Sequence, residues 1–287
     1  PRTRQRSSKH TSKRTPAAPA PSTKSTMSQQ HQTTRPLHPP QTSRADSPTE
    51  PRRPHATRPD AASLSPRSRA LRIFEGIILF TLPPLIIWRG GIGIDLAFPL
   101  LFVSTALALL YLLLDPTFDK RQLWRIRTLA TDWKRILTIY ACAVPAMILF
   151  TVAIDRGLLP IGPGRDLLFG FPLRAPQTWL IVMLFYPILS VYPQEILFRT
   201  FLFHRYERAF GSPLPIIIFS ALAFGWMHIF FGNPIAVPLT IASGALHAWT
   251  YARTRSTAAA VFEHALYGNA AFTIGLGWFF FTGSIQS

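Results

Sequence analysis

From Ala70 onward the chain repeats one pattern: an apolar run close to the length of a bilayer crossing, then a short break of basic residues, proline or glycine. Seven such runs are predicted to be spanning helices, with six to eight the range the breaks allow. They are Leu71 to Trp88, Ile94 to Leu114, Ile136 to Ile154, Thr178 to about Phe203, Pro213 to Phe231, Ile235 to Tyr251 and Ala258 to Phe281. Pro83, Pro84, Pro145, Pro187 and Pro193 fall inside these runs, which a bundle tolerates where neighbours or cavity water satisfy the freed carbonyls. Pro193 is expected to begin a new helical segment whose first turn holds Gln194 and Glu195. Residues 70–287 carry no strand alternation, cysteine cluster, P-loop or Rossmann glycine pattern. The expected fold is all-α, a polytopic transmembrane helical bundle.

Residues 1–69 break the pattern and form a separate region. They hold 14 Lys/Arg against 3 Asp/Glu, so +11 of the formal net charge of +17 lies there, together with most of the Ser, Thr and Pro. With few large apolar residues beyond Leu37 and Leu64, such a segment cannot bury enough surface to offset its ordering entropy, and it is expected to be a disordered basic tail. It lacks the aromatic interleaving of a nucleic-acid binder, so no nucleic-acid partner is expected. Beside a membrane span it reads as a cytoplasmic tail, able to attract anionic lipids. Met27 is the first methionine and a candidate start, and no cleavable signal is recognised. Basic residues in the tail, in Asp115 to Arg135, at Arg205/Arg208 and at Arg253/Arg255 alternate with basic-poor connections, which places the N-terminus inside. A multi-pass protein of a bacterial inner membrane is expected. The single cysteine, Cys142, excludes an intrachain disulfide framework.

Against this apolar background three polar clusters stand out, because ionisable groups at membrane depth are costly and default to functional candidates. The first is Gln194-Glu195 with Arg199, a carboxylate and a guanidinium four residues apart on one helical face. The second is Phe224 to His228, and the third is Glu263 to Asn269, containing His264 and Gly268. His247 is a lone fourth candidate. About a turn centred on Gly211-Ser212, Glu195 and His228 are each 16.5 positions away, so an antiparallel pair of helices would bring them to one depth. A carboxylate beside an imidazole in a low-dielectric cavity can take a proton from water held between them. His264 with Gly268 or Asn269 could line the position of a developing oxyanion. The bland alternative has His228 satisfied by a backbone carbonyl and Glu195 by Arg199. Arg89, Asp95, Asp155 and Arg156 read as interfacial, Trp88, Trp179 and Trp278 as belt aromatics, and Glu263 as a partner for a buried cation or amide.

These residues resemble the CPBP intramembrane endopeptidases, which include the type II CAAX prenyl endopeptidases and Abi-like bacteriocin-processing or bacteriocin-immunity proteins. The family pattern, E-E-x-x-x-R, F-x-x-x-H and H-x-x-x-N, is met in order by Gln194-Glu195 to Arg199, Phe224 to His228, and His264 to Asn269, over about residues 178–275. The resemblance implies a glutamate-dependent protease for peptide or membrane-associated protein substrates, possible CAAX-type processing included, with no cofactor. It makes His228 the water-activating histidine, His264 and Asn269 the oxyanion site, and Arg199 the partner of the glutamate pair. Two positions depart from the pattern. Gln194 stands at the first glutamate, where an amide cannot act as a general base, so the base role passes to Glu195. Asn269 comes one residue late, about 100° around an ideal helix. Three alternatives stay open: a catalytically silent scaffold or immunity protein, a small transporter using Glu195/Arg199, and a zinc site formed by Glu195, His228 and His264.

Overall fold

The computed structural model describes residues 64–90, 96–162 and 166–280, so the basic tail up to residue 63 and Asp95 lie outside the described residues. Within these residues the chain is helical and has no strand. Seven long helices correspond to the seven predicted runs: α1 Pro66–Arg89, α2 Ala97–Leu114, α3 Leu129–Asp155, α4 Pro176–Phe210, α5 Pro213–Met227, α6 Ala236–Thr254 and α7 Thr257–Ile274. The first four, together with the Pro213–Phe231 segment, are five helices long and apolar enough to cross a membrane. The protein is an integral membrane helical bundle. α6 and α7 complete it, but their sequence includes the buried polar residues Thr240, His247, Thr250, Glu263 and His264.

Local chemistry sets the helix ends. Ser65 caps α1 by accepting from Ser68 N, and Pro66 fills the first turn, where a missing N–H costs nothing. α1 thus begins four residues before Ala70. Ser256 caps α7 through Ala259 N at 3.1 Å, and the side chain of Asn233 accepts from Ile235 N and Ala236 N at the entrance to α6. Gly211 ends α4 at φ +75°, a left-handed conformation that glycine adopts without a Cβ clash. Asp155, at the end of α3, accepts from Leu167 N and Leu168 N, both at 3.0 Å, and so ties down the connection to α4.

The predicted break at Pro193 takes a different form. α4 runs through both internal prolines, with wide i→i+5 turns over Pro187–Val191 and Ile196–Phe201 and four ordinary residues, Tyr192–Glu195, between them. Proline cannot donate the usual bond four residues back, and a wider turn lets the chain continue with a local change of face. Thr105 on α2 donates to the carbonyl of Pro193 at 3.2 Å.

α5 and α6 approach closely because glycine faces each partner. A Cβ on Gly225 would run into the Ile241 side chain and lie 3.1 Å from the Ile241 nitrogen, while one on Gly244 would meet Phe224 at 3.0 Å. Small residues are what allow helix backbones to close up where lipid supplies no hydrophobic drive between them. Phe80, Phe198, Leu202, Phe203, Tyr206 and Phe224 form the adjoining apolar core. At the end bearing the basic breaks, Arg205 pairs with Glu75, Arg255 with Glu207, and His204 with Asp115, joining α1, α2, α4 and the α6–α7 turn.

Candidate active site

Glu195 lies between the two wide turns of α4, and its carboxylate has no solvent exposure. Oε1 is 2.7 Å from His264 Nδ1 and 3.8 Å from His247 Nδ1; Oε2 is 3.2 Å from Arg199 Nε. An ionised carboxylate can only accept, so His264 Nδ1 is assigned as the donor and Nε2 as the ring's acceptor. The hydroxyl of Tyr186 is 3.2 Å from that Nε2. Carboxylate, imidazole and hydroxyl thus form one chain across α4 and α7.

Arg199 is held from three sides. Besides Glu195, its Nη2 donates to the Gly244 carbonyl at 3.2 Å and lies 3.4 Å from His247 Nδ1, and its guanidinium sits 4.5 Å from the centre of the Phe224 ring. The ion pair expected within the first cluster is present, with both partners fully buried. Burying one such charge alone would be far more costly than burying the pair.

The other expected site residues fall around this centre rather than at it. His228 Nδ1 is 2.7 Å from the Phe224 carbonyl, the backbone partner foreseen by the bland alternative. The expected meeting of Glu195 with His228 is replaced by the contact of Glu195 with His264, because the wide turns shift the face of α4 that an uninterrupted 3.6-residue period would present. His228 remains nearby, since the Phe224 ring lies 4.8 Å from its ring and 5.4 Å from that of His264. Gln194 donates to Ser190 Oγ at 2.8 Å. Asn269 Nδ2 donates to the Met183 carbonyl at 3.3 Å, so its amide serves the first half of α4. Glu263 is buried 3.8 Å from Arg135 Nη1, in the partner role expected of it.

His247, a lone candidate in the sequence, is part of the centre. Its ring stacks on that of His264, with centroids 4.4 Å apart and planes 19° from parallel. The sequence held a usable signal: His247 and His264 lie equally far from the Arg255-Ser256 turn, the same depth argument applied to the Glu195 hairpin. Tyr186 carried no such signal, because its place depends on the absence of a side chain at Gly268.

One ligand atom each from Glu195, His247 and His264 lie within 4.8 Å of one another, so the closest metal-compatible set contains His247 in place of the expected His228. The donor types suit zinc. The surroundings do not, because the Arg199 guanidinium is 3.2 Å from the carboxylate and 3.4 Å from His247, where it would repel a divalent cation in a low-dielectric site.

Fold and site together define a membrane-embedded helical bundle whose interior holds a buried acid, base and hydroxyl chain. Residues 176–270 match the family model described as type II CAAX prenyl endopeptidase Rce1-like. The match begins in the first turn of α4 and ends within α7, so it contains every residue of the centre. No curated protein and no solved structure gives a match.

Proposed function

We propose that the protein is an intramembrane endopeptidase that hydrolyses a peptide bond in a membrane-associated protein, with CAAX-type processing the activity that the matched family's description points to. The observation carrying this reading is the 2.7 Å bond between Glu195 and His264 in the bundle interior. Because the carboxylate orients Nδ1–H, Nε2 is the basic atom and faces away from the ion pair. Water at Nε2 attacks the carbonyl carbon as its proton passes to that nitrogen, and the C=O pair becomes an oxyanion. Collapse expels the amine, which takes the proton from His264. Glu195 stabilises the transient imidazolium, and Arg199 holds Glu195 in place. His228, with Nδ1 donating to the Phe224 carbonyl, keeps Nε2 as an acceptor and serves as a second contact for water or substrate. No cofactor is required by this chemistry.

A second reading, a catalytically silent scaffold, is favoured by Gln194, which replaces a carboxylate and is committed to Ser190. Cleavage of a panel of prenylated and unprenylated C-terminal peptides by purified protein in liposomes separates the two. Glu195→Gln and His264→Ala are each expected to lower kcat by about 10²- to 10⁴-fold, the usual scale of general acid–base assistance. Absence of cleavage by the wild type across the panel would establish the scaffold instead.

A further inference from the structure

Tyr186 sits on α4 just before its first wide turn, with its hydroxyl 3.2 Å from His264 Nε2. Gly268 makes that approach possible: a Cβ there would overlap the tyrosine ring, which also meets Phe272 in an edge-to-face contact at 5.1 Å between centroids. Gly268 follows His264 by one helical turn and therefore shares its face. On that face the chain has exchanged a side chain from α7 for a hydroxyl delivered from α4. Asn269, the neighbouring amide, already donates to the Met183 carbonyl.

We infer that Tyr186 is a catalytic residue, the oxyanion donor of the hydrolysis proposed above, on which this inference rests. In the resting site an acceptor Nε2 takes the tyrosine proton in a hydrogen bond. Water that binds Nε2 displaces the hydroxyl, which turns its O–H toward the substrate carbonyl oxygen. As the water oxygen bonds to carbon and its proton moves to Nε2, the carbonyl pair moves onto that oxygen and is met by the Tyr186 O–H. The new Nε2–H cannot accept from tyrosine, so the proton transfer itself keeps the hydroxyl aimed at the oxyanion. No proton leaves Tyr186; it donates a hydrogen bond and recovers its original partner when His264 gives the proton to the leaving amine.

The test is steady-state cleavage in liposomes by the wild type, Tyr186→Phe, Gly268→Ala and the double variant, with Glu195→Gln alongside. Tyr186→Phe keeps the ring against Phe272 and removes only the oxygen. It is expected to lower kcat by about 10²- to 10³-fold, the usual loss of one oxyanion donor, with KM within about twofold. Gly268→Ala, by displacing the ring, is expected to lower kcat as well, and the double variant to fall little below Tyr186→Phe, since both remove one interaction. Wild-type kcat in Tyr186→Phe while Glu195→Gln is inactive overturns the role of Tyr186 and leaves the protease reading intact. A rise in KM at unchanged kcat also overturns it, because that marks ground-state binding. A wild type that cleaves nothing overturns both.

Discussion

On α2, Val103 and Leu107 are 57 % and 63 % exposed and face outward from the bundle, whereas on α4 Glu195 and Arg199 are completely buried. The outer helices α1 to α3 present Leu71, Phe74, Leu110 and Leu149 in the same outward way. In water this arrangement would be inverted. In a bilayer lipid tails are as apolar as leucine, so apolar burial gives no reason to prefer protein over lipid, and contacts between helices depend on packing and polar pairing. In this protein hydrophobicity assigns helices to the membrane, while a few polar residues and glycines determine which faces meet.

The largest loss is expected where one buried charge is left alone. Arg199→Met leaves Glu195 buried beside two histidines and is expected to cost about 3–5 kcal/mol, the usual penalty for stripping one partner from a buried pair. Adding Glu195→Gln should return much of that loss, because no unpaired carboxylate then remains. Leu107→Ala on the outward face of α2 is expected to change stability by no more than about 0.5 kcal/mol. Denaturant unfolding in detergent micelles reads all three. Similar losses for Arg199→Met and Leu107→Ala would mean that polar pairing does not organise the interior.

A smaller effect is expected at the α5–α6 contact. Gly225→Ala directs a methyl group into Ile241 and should cost about 1–3 kcal/mol, the range for overpacking a tight contact. Combining it with Ile241→Ala, which makes room, should give a loss smaller than the sum of the single effects. A strictly additive pair in the same unfolding assay would show that the two helices do not rely on this approach.

The seven helices were legible because apolar runs of bilayer length are a strong signal, and the ion pair between Glu195 and Arg199 followed from spacing on one helical face. The partner of Glu195 was not legible in the same way. Equal depth about the Gly211-Ser212 turn points to His228, but depth leaves the face open, and the wide turns over Pro187–Val191 and Ile196–Phe201, which change the face, leave no periodic mark in composition. His247 could have been found by symmetry about the Arg255-Ser256 turn, since its stacking on His264 needs only equal depth. Tyr186 was beyond reach, because the relevant property is empty volume at Gly268 on another helix.

The mildest test concerns the polar end of the bundle, where charge sits at the rim rather than in the interior. Asp115 follows α2 and accepts from His204 Nε2 at 2.9 Å and from the backbone and side chain of Thr117 at 2.8 and 2.7 Å. These bonds, led by that of His204, hold its carboxyl down to about 2. An unfolded aspartate titrates near about 3.9, so the contribution is fully present above that value and disappears as pH falls through the folded one. Between about pH 4 and about pH 2 the wild type should therefore lose thermal stability in detergent more steeply than Asp115→Asn, which has no carboxyl to titrate. Parallel melting curves down to the lowest pH would show that Asp115 contributes nothing by this route. A steeper loss in the wild type would place part of the bundle's pH sensitivity at its rim, apart from the interior charges that define the site.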